Sequence, residues 1–500
     1  MHPAAERFEQ TRREFLMRAG SGGMGLAALT HLLCSDGLAA PAPASPSLDQ
    51  INPLDPKPPH ATPRAKRCIF IFQDGGPSQF ELFERKPKLL EMDGKKLPES
   101  FVKDVRFAFL DRDKSTVTAP KPSFRKHGEC GMELSELLPH LATCVDEMCM
   151  IHSMHTDQFN HHPAQLILHN GRSELGRPTI GSWITYGLGS ESQNLPGYVV
   201  LASGRGASGG ATNWTSGFLP STYEGVVFRG QGEPVLNLKN PDGLPAHLRR
   251  AGLDALRELN EAHYQRLKDP EILSRITSYE LAFRMQTAAP ELADLSGETR
   301  RTLDAYGVDR EDPVIKAERP GGPNQYRAFA TNCLLARRLI ERGVRFVHLV
   351  QGTWDHHQGL DVELPFNARL CDQPIAALIH DLKQRGLLDE TLVVVASEFG
   401  RTPLGEYKKD QTISTGRDHH PYAFTIFMAG GGVRKGYVHG ETDEFGWAPI
   451  RDPVHVNDLQ ATLLHLFGLD HLRLTYRFQG LDQRLTSITR ESNVVEALLA

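Results

Sequence analysis

Three acidic residues follow apolar runs of the kind that form buried strands. Asp74 follows RCIFIFQ, Glu398 follows TLVVVAS, and Asp355 comes three residues after VRFVHLVQG. If these strands are parallel neighbours, their carboxylates meet at one sheet edge, where they repel each other unless a cation binds or they take up protons. One such acid alone is more often a helix cap or a turn residue. Three at equivalent places favour a metal site.

Histidines cluster in three segments beside these predicted strand ends. Five lie between His152 and His169, two in WDHH at 354–357, and two in GRDHHP at 416–421. Imidazole and carboxylate together suit zinc, manganese or iron better than calcium. We therefore predict one or two divalent ions, with zinc or manganese favoured, and a pair of ions would clamp both oxygens of a displacement at phosphorus or sulfur. The predicted metal ligands are Asp74, His155, His161, Asp355, His357, Glu398, Asp418 and His419.

Two further residues are candidates for the chemistry itself. Thr156 is the preferred nucleophile because it lies in the histidine-rich segment before a helix predicted at 162–170, where a helix N-terminus favours an anion. Ser153, Ser78 and a metal-bound water are the alternatives. Arg401, in SEFGRTP, is predicted to bind an anionic ester group with both guanidinium branches, and a surface salt bridge is the alternative.

Apolar runs and helical patterns alternate along the chain. This order predicts an α/β fold, with a mostly parallel central sheet and helices on both faces. A less regular segment at about 204–325 suggests an inserted cap or lobe. The predicted strands lie at 67–76, 147–154, 197–203, 344–352, 391–400 and 423–431. The predicted helices lie at 252–268, 271–286, 325–342, 366–385 and 456–469.

The first forty-four residues have the pattern of a twin-arginine export signal. TRREFL at 11–16 precedes an uncharged stretch at 19–34 and APAPA at 40–44, and cleavage is expected after Ala40, Ala42 or Ala44. A retained amphipathic helix is the alternative. Residues 45–66 read as a linker. The twin-arginine machinery is thus a predicted partner, and the mature chain is expected in the periplasm or outside the cell, without a stable membrane span.

The composition limits the remaining options. The chain has 500 residues, 40% of them hydrophobic and 23% charged, and a formal net charge of −5. These values are typical of a globular protein and argue against a nucleic-acid partner. Six of the seven cysteines lie beyond the signal. Cys68 and Cys333 are expected as buried free thiols, whereas Cys144 and Cys149 can pair if a turn separates them.

Five motifs in order resemble the bacterial family named domain of unknown function 1501, from about residue 65 to 490. The motifs are FQDGGPSQFELFERKP, SMHTDQFNHHPA, WDHH, SEFGRTP and GRDHHPYAF. That family is similar to the alkaline phosphatase and sulfatase superfamily, whose α/β fold carries a two-metal site. The resemblance implies that Asp74 matches the acid after the first strand. It also implies that Asp355 and His357 match the paired Asp and His, and that His419 matches the late His.

The sequence departs from the superfamily at two places. Glu398 and Phe399 stand where the superfamily has Asp-His, which leaves a single-metal site as an alternative. The sulfatase motif C-x-P-x-R is absent, which argues against a formylglycine mechanism. The combined prediction is an exported, metal-dependent, sulfatase-like hydrolase of phosphate or sulfate esters, acting on a small-molecule or polysaccharide anionic ester. The alternatives are a non-catalytic exported protein that binds anionic polysaccharide, and a phosphomutase or phosphonate-cleaving enzyme.

Overall fold

The computed structural model describes residues 52–103, 105, 107–230, 232–236, 238–315, 322–406 and 416–500. The expected export signal at 1–44 and the first part of the expected linker lie outside the described residues. Within those ranges, no helix has the length and apolar character that crossing a lipid bilayer requires.

Helices and strands alternate as the sequence pattern predicts. The strands are β1 (Arg67–Gln73), β2 (Phe124–His127), β3 (Met132–Ser135), β4 (Met148–His155), β5 (Tyr198–Ser203), β6 (Val226–Phe228), β7 (Phe346–Gln351), β8 (Thr391–Ala396), β9 (Gly400–Glu406), β10 (Gly416–His420), β11 (Phe424–Ala429), β12 (Tyr437–His439), β13 (Glu441–Thr442), β14 (Pro449–Arg451), β15 (Val454–His455), β16 (Tyr476–Phe478) and β17 (Leu481–Gln483). The helices are α1 (Gln79–Leu82), α2 (Pro87–Glu91), α3 (Glu99–Val102), α4 (His161–Asn170), α5 (Ile180–Leu188), α6 (Ala246–Leu267), α7 (Pro270–Ala293), α8 (Arg300–Tyr306), α9 (Gln325–Glu341), α10 (Leu360–Gln384) and α11 (Val456–Leu466).

The main sheet has nine strands among the described residues. Eight lie in the order β12-β4-β11-β8-β1-β7-β5-β6, and β15 pairs with β4 beside them. Strand β11 runs antiparallel to both of its neighbours, and the other pairings of this sheet are parallel. The predicted α/β class with a mostly parallel sheet is therefore confirmed.

Alternate residues of the central strand β1 enter two separate apolar cores. Ile69 and Ile71 pack in the core that includes α9 and α10. Phe70 and Phe72 pack in the core that includes α4, α5 and α11. Because a strand presents successive side chains to opposite faces, a strand covered on both sides is apolar throughout. The expected helices on both faces of the sheet are present.

The part of the expected linker that the structure describes packs against the domain. Leu54 is buried in the second core. The backbone N–H of Lys57 donates to the carbonyl of Leu188 at the end of α5 (2.9 Å), and that of His60 donates to the carbonyl of Gly468 (2.9 Å). Residues 52–66 are therefore packed and hydrogen-bonded to the domain and do not form a free spacer.

The pairing considered for Cys144 and Cys149 does not form. Both thiols are free and buried, as are Cys68 and Cys333. Cys144 belongs to the core on the α9–α10 face, whereas Cys149 belongs to the core on the α4–α5 face. The sheet lies between the two cores.

The segment at 204–325 is partly sheet and partly helix. Strand β6 pairs in parallel with β5 and forms the edge of the main sheet. Helices α6, α7 and α8 follow, and the side chain of Gln286 on α7 donates to the carbonyl of Leu238 in the preceding loop (2.8 Å). The segment thus begins as an extension of the sheet and continues as three helices.

Candidate metal centre

The structure brings the three strand-end acids to one edge of the sheet. Strands β8, β1 and β7 are adjacent and parallel, and Glu398, Asp74 and Asp355 follow their carboxyl ends. The N–H of Trp354 donates to the carbonyl of Asp74 (3.1 Å), and the N–H of Gly75 donates to Glu398 Oε1 (3.0 Å). These bonds join the loops that follow the three strands.

Gly75 allows these loops to approach each other. Its φ is +119°, and a Cβ there would lie 2.5 Å from the backbone nitrogen of Asp355. We expect Gly75→Ala to lower the free energy of unfolding by about 3 kcal/mol, because backbone strain and a steric clash add together. Urea unfolding followed by circular dichroism measures this. Gly94→Ala is the matched control, since Gly94 has φ +73° and open space around it. Equal losses in both variants would contradict the close-approach explanation.

Glu398 is fully buried and is held by donors on three sides. Gly75 N–H and the hydroxyl of Ser397 (2.8 Å) donate to it, and His161 Nδ1 lies 2.7 Å from Oε1. Burial alone raises the pKa of a carboxyl group, but the hydrogen bond and charge of His161, together with the hydrogen bonds from the backbone and from Ser397, outweigh burial, so the pKa of Glu398 is lowered. Glu398 is therefore an ionised carboxylate deep in the site, where it could serve as a metal ligand.

Asp74 shares this buried place with Glu398. Burial, and then the negative charge of Glu398, raise the pKa of Asp74 to about 7. Ser208 donates to the Asp74 carboxyl from its backbone N–H (3.0 Å) and its hydroxyl (2.9 Å), and the amide of Gln165 donates as well. The ligand oxygens of Asp74 and Glu398 lie within 4.8 Å of each other, and two carboxyl groups at this distance favour a cation between them.

His161 stands between two sets of acids. It is the first residue of α4. Its Nδ1 faces Glu398, and its Nε2 lies 3.3 Å from Asp355 Oδ2. Burial lowers the pKa of His161, but the hydrogen bonds with Asp355 and Glu398 outweigh burial and raise it to about 9. The position therefore attracts positive charge.

Asp355 gathers two further imidazoles. His357 Nε2 lies 2.8 Å and His419 Nε2 lies 3.2 Å from Asp355 Oδ1, and the two nitrogens are 2.9 Å apart. Burial raises the pKa of Asp355, but the hydrogen bonds with the histidines outweigh burial and hold it far below its usual range. Asp355 is therefore ionised and faces two imidazole nitrogens.

The outer nitrogen of each imidazole contacts a group that can only accept a hydrogen bond. His357 Nδ1 lies 2.5 Å from Glu406 Oε2, and His419 Nδ1 lies 2.7 Å from the carbonyl oxygen of Phe159. These partners assign the hydrogen to Nδ1 in both rings and direct both Nε2 atoms inward. Two inward Nε2 atoms this close need a shared proton or a cation, and this arrangement is typical of metal-binding histidines.

The donor atoms form three groups, and within each group they lie within 4.8 Å of one another. His161 and His357 each belong to two of these groups. The possible ligand atoms are imidazole nitrogens and carboxylate oxygens, which suit a divalent metal ion. The groups are Asp74 with His161 and Glu398, then His161 with Asp355, His357 and His419, and finally His357 with Glu406 and Asp418.

Arg401 does not have the geometry of the predicted anion-binding residue. Its side chain is 1% exposed. Nε donates to the carbonyl of Gly76 (2.8 Å), Nη1 to that of Arg417 (2.8 Å), and Nη2 to Asp355 Oδ1 (2.6 Å). A buried guanidinium must have its N–H groups satisfied within the protein, and here that requirement engages every nitrogen. Arg401 therefore orients Asp355 instead of holding a substrate.

Other predicted site residues lie outside the cluster around Asp355. Asp418 Oδ2 accepts hydrogen bonds from the backbone N–H groups of residues 108–110, so that oxygen has a structural role. His155 packs against His455 with the ring centres 5.2 Å apart. The hydroxyl of Thr156 is buried without a partner among the described residues, and the hydroxyl of Ser153 donates to the carbonyl of Asp452 (2.5 Å).

The hydroxyl of Ser78 is likewise buried without a described partner, and it does not cap α1. Another residue of the histidine-rich segment, His169, is a core residue whose ring lies 4.7 Å from that of Phe72. Burial lowers its pKa well below the usual value. The number of histidines therefore indicates that this segment belongs to the site, but it does not show which of their rings face the site.

Sequence reasoning missed Glu406, Gln165 and Ser208. Glu406 ends β9, and the β9–β10 hairpin brings it to His357. No spacing along the chain connects these two residues. Ser208 lies in a glycine-rich loop, and Gln165 lies on the helix that begins at His161.

Among solved structures, the chain is similar to the PsFucS1 sulfatase from Pseudoalteromonas sp. at 12% identity and a TM-score of 0.35, covering 81% of this chain and 68% of that one. It is similar to a protein in the alkaline phosphatase superfamily from Vibrio parahaemolyticus at 10% identity and a TM-score of 0.32, covering 85% and 71%. It is similar to the alkaline phosphatase of the Antarctic bacterium TAB5 at 12% identity and a TM-score of 0.31, covering 81% and 98%.

The curated proteins include no match to the sequence. A family model does match it, over residues 65–499, which is most of the chain and includes every residue of the three donor groups. The chain belongs to the family described as protein of unknown function (DUF1501).

Proposed function

We propose that this protein is a metal-dependent hydrolase of phosphate or sulfate esters. The observation that carries the proposal is the inward pair of imidazole nitrogens, 2.9 Å apart, beside an ionised carboxylate. A shared proton can bridge one such pair of nitrogen atoms. The four-residue group of His161, Asp355, His357 and His419 offers more donors than a proton can use, and this number suits a divalent ion.

The chain's own residues prepare the place for such an ion. Glu406 and the Phe159 carbonyl fix the ring orientation of His357 and His419, and Arg401 fixes Asp355. A divalent ion supplies Lewis-acid stabilisation of charge on an ester oxygen and lowers the pKa of water. Zinc or manganese is our preferred ion, because the donors are nitrogen and carboxylate oxygen.

We favour water as the attacking group. The hydroxyls of Thr156 and Ser153 are buried outside the donor groups. The Ser208 hydroxyl is close, but it already donates to Asp74. A water held near Asp74 would have that carboxyl group as its proton acceptor.

The test is turnover of 4-nitrophenyl phosphate and 4-nitrophenyl sulfate by the purified protein. We expect release of 4-nitrophenol with one of the two esters, its loss after treatment with a chelator, and its return on addition of zinc or manganese. If the metal-loaded protein turns over neither ester, the hydrolase proposal fails, and a non-catalytic protein that binds anionic polysaccharide becomes the better account.

We also propose that the protein is exported by the twin-arginine route to the periplasm or beyond. TRREFL, the uncharged stretch at 19–34 and APAPA support this. Cell fractionation should find the protein outside the cytoplasm, and replacing Arg12 and Arg13 together by Lys should retain it inside. Equal export of both forms would contradict the route.

A further inference from the structure

The backbone of Thr353 has a conformation that its residue type disfavours. Its φ is +85°. A positive φ brings the Cβ of an L-residue close to a backbone carbonyl oxygen, and β-branched residues adopt it rarely. Thr353 lies two residues before Asp355, the acid at the centre of the four-residue donor group. Strained residues persist only where neighbouring contacts hold them, so the contacts of Thr353 bear on the position of Asp355.

The side chain of Asn367, on α10, holds Thr353 from two directions. Asn367 Nδ2 donates to the carbonyl of Thr353 (2.7 Å), and the Thr353 hydroxyl donates to Asn367 Oδ1 (3.3 Å). Asn367 is 3% exposed, so water does not compete for these bonds. The bond to the carbonyl fixes the direction of the peptide group that joins Thr353 to Trp354.

Asn367 also contacts the chain on the other side of Asp355. Its Nδ2 lies 3.2 Å from Nε2 of His356, whose ring is buried. Because an amide nitrogen only donates, His356 Nε2 accepts in this contact. One nitrogen atom of Asn367 therefore joins Thr353 and His356, the residues that stand on either side of Asp355 in the turn.

The backbone between these two contacts turns tightly. The N–H of His356 donates to the carbonyl of Trp354 (3.0 Å), and the N–H of His357 donates to the carbonyl of Asp355 (3.2 Å). Each bond spans two residues, which is the pattern of a γ-turn. Two such turns in succession leave few free torsions in this segment. A rotation at Thr353 therefore moves Asp355 and His357 together.

We propose that Asn367 is a positioning residue, which keeps Thr353 at positive φ and thereby presents Asp355 and His357 to the metal ion. The proposal rests on the metal-dependent function proposed above, and Asn367 itself belongs to none of the donor groups. Arg401 holds the carboxylate of Asp355, and Asn367 holds the backbone that carries it. Without the amide, Thr353 relaxes to a negative φ, and the two ligands leave their shared position.

Affinity of the full chain for zinc and for manganese, measured by competition with a coloured chelator, tests this role. We expect Asn367→Ala to weaken binding of the ion that the wild type prefers by at least about tenfold. Adding Thr353→Gly to this variant should restore the affinity to within about threefold of the wild type, because glycine adopts a positive φ without strain. A side chain that matters only for packing is not rescued by this second change.

Two further variants complete the experiment. Asn457→Ala removes another buried amide, 2% exposed, which donates to the carbonyl of Gly171 (3.0 Å), and it should leave metal affinity unchanged. Asn367→Asp keeps the size of the side chain and an acceptor for the Thr353 hydroxyl but loses the amide donor. We expect Asn367→Asp to lose as much affinity as Asn367→Ala, and it replaces that variant if the alanine form does not fold.

The outcomes separate this proposal from the hydrolase. Equal metal affinity in the wild type and in a folded Asn367→Ala variant overturns the positioning role, even in an active hydrolase. An equal loss with and without Thr353→Gly assigns Asn367 to packing and overturns it as well. Rescue by Thr353→Gly in a protein that hydrolyses neither aryl ester supports the positioning role and rejects only the hydrolase. A wild type that binds neither ion overturns both proposals.

Discussion

Replacing Asp355 with Asn is expected to remove the bound metal ion and to lower kcat/KM for an aryl ester by at least about a thousandfold. Asp355 contacts three imidazoles and Arg401, so it is the one residue common to the contacts at the centre of the site. An amide has no negative charge to offset a divalent ion. A loss of about 4 kcal/mol of stabilisation in the transition state corresponds to this factor.

The comparison variant for this experiment is Asp361→Asn. Asp361 lies on α10 six residues later, is exposed, and pairs with Lys121 at the surface. We expect it to keep full metal content and activity. Metal analysis and aryl ester kinetics should be done on the same preparations. If Asp355→Asn retained an equivalent of metal and most of the activity, Asp355 would not be a ligand.

Replacing Glu406 with Ala is expected to weaken metal binding about 10- to 100-fold, although Glu406 is not among the four residues proposed to hold the ion. Glu406 accepts from His357 Nδ1, and this bond sets the ring so that Nε2 faces inward. Loss of the acceptor frees the ring to turn and makes its nitrogen a weaker donor. Glu406→Gln keeps an accepting oxygen and should lose less affinity than Glu406→Ala.

Competition with a coloured chelator measures this affinity. Glu390→Ala removes an exposed carboxylate that pairs with Lys66 and should leave the affinity unchanged. Equal affinities for the wild type and Glu406→Ala would show that the carboxylate does not orient His357. A larger loss of metal affinity in Glu406→Gln than in Glu406→Ala would also show that the carboxylate does not orient His357. Charge repulsion or packing would then be the cause of the loss.

The strands and their acids were accessible from the sequence because the signal is local. RCIFIFQ, VRFVHLVQG and TLVVVAS are continuous apolar runs, as expected for strands covered on both faces. The acids after them follow the rule that ligands gather at the carboxyl ends of parallel strands. The structure places β8, β1 and β7 side by side, which brings Glu398, Asp74 and Asp355 together.

The remainder of the site depends on contacts that sequence spacing does not encode. Glu406 reaches His357 because β9 pairs with β10, and the N–H of Arg417 on β10 donates to the carbonyl of His356 in the WDHH segment (3.1 Å). Arg401 was expected to face a substrate, but its residue type is the same whether it binds an ester or orients Asp355. His169 and His161 lie on one helix, yet one ring packs on Phe72 and the other faces Glu398.

Anomalous X-ray diffraction from crystals of the metal-loaded protein shows whether His357, His419 and Asp355 hold a divalent ion. We predict a strong peak at the zinc or manganese absorption edge, bonded to His357 Nε2 and His419 Nε2 at about 2.0–2.3 Å. A map with no peak between those two nitrogens, collected from protein that carries an equivalent of metal, would contradict the account.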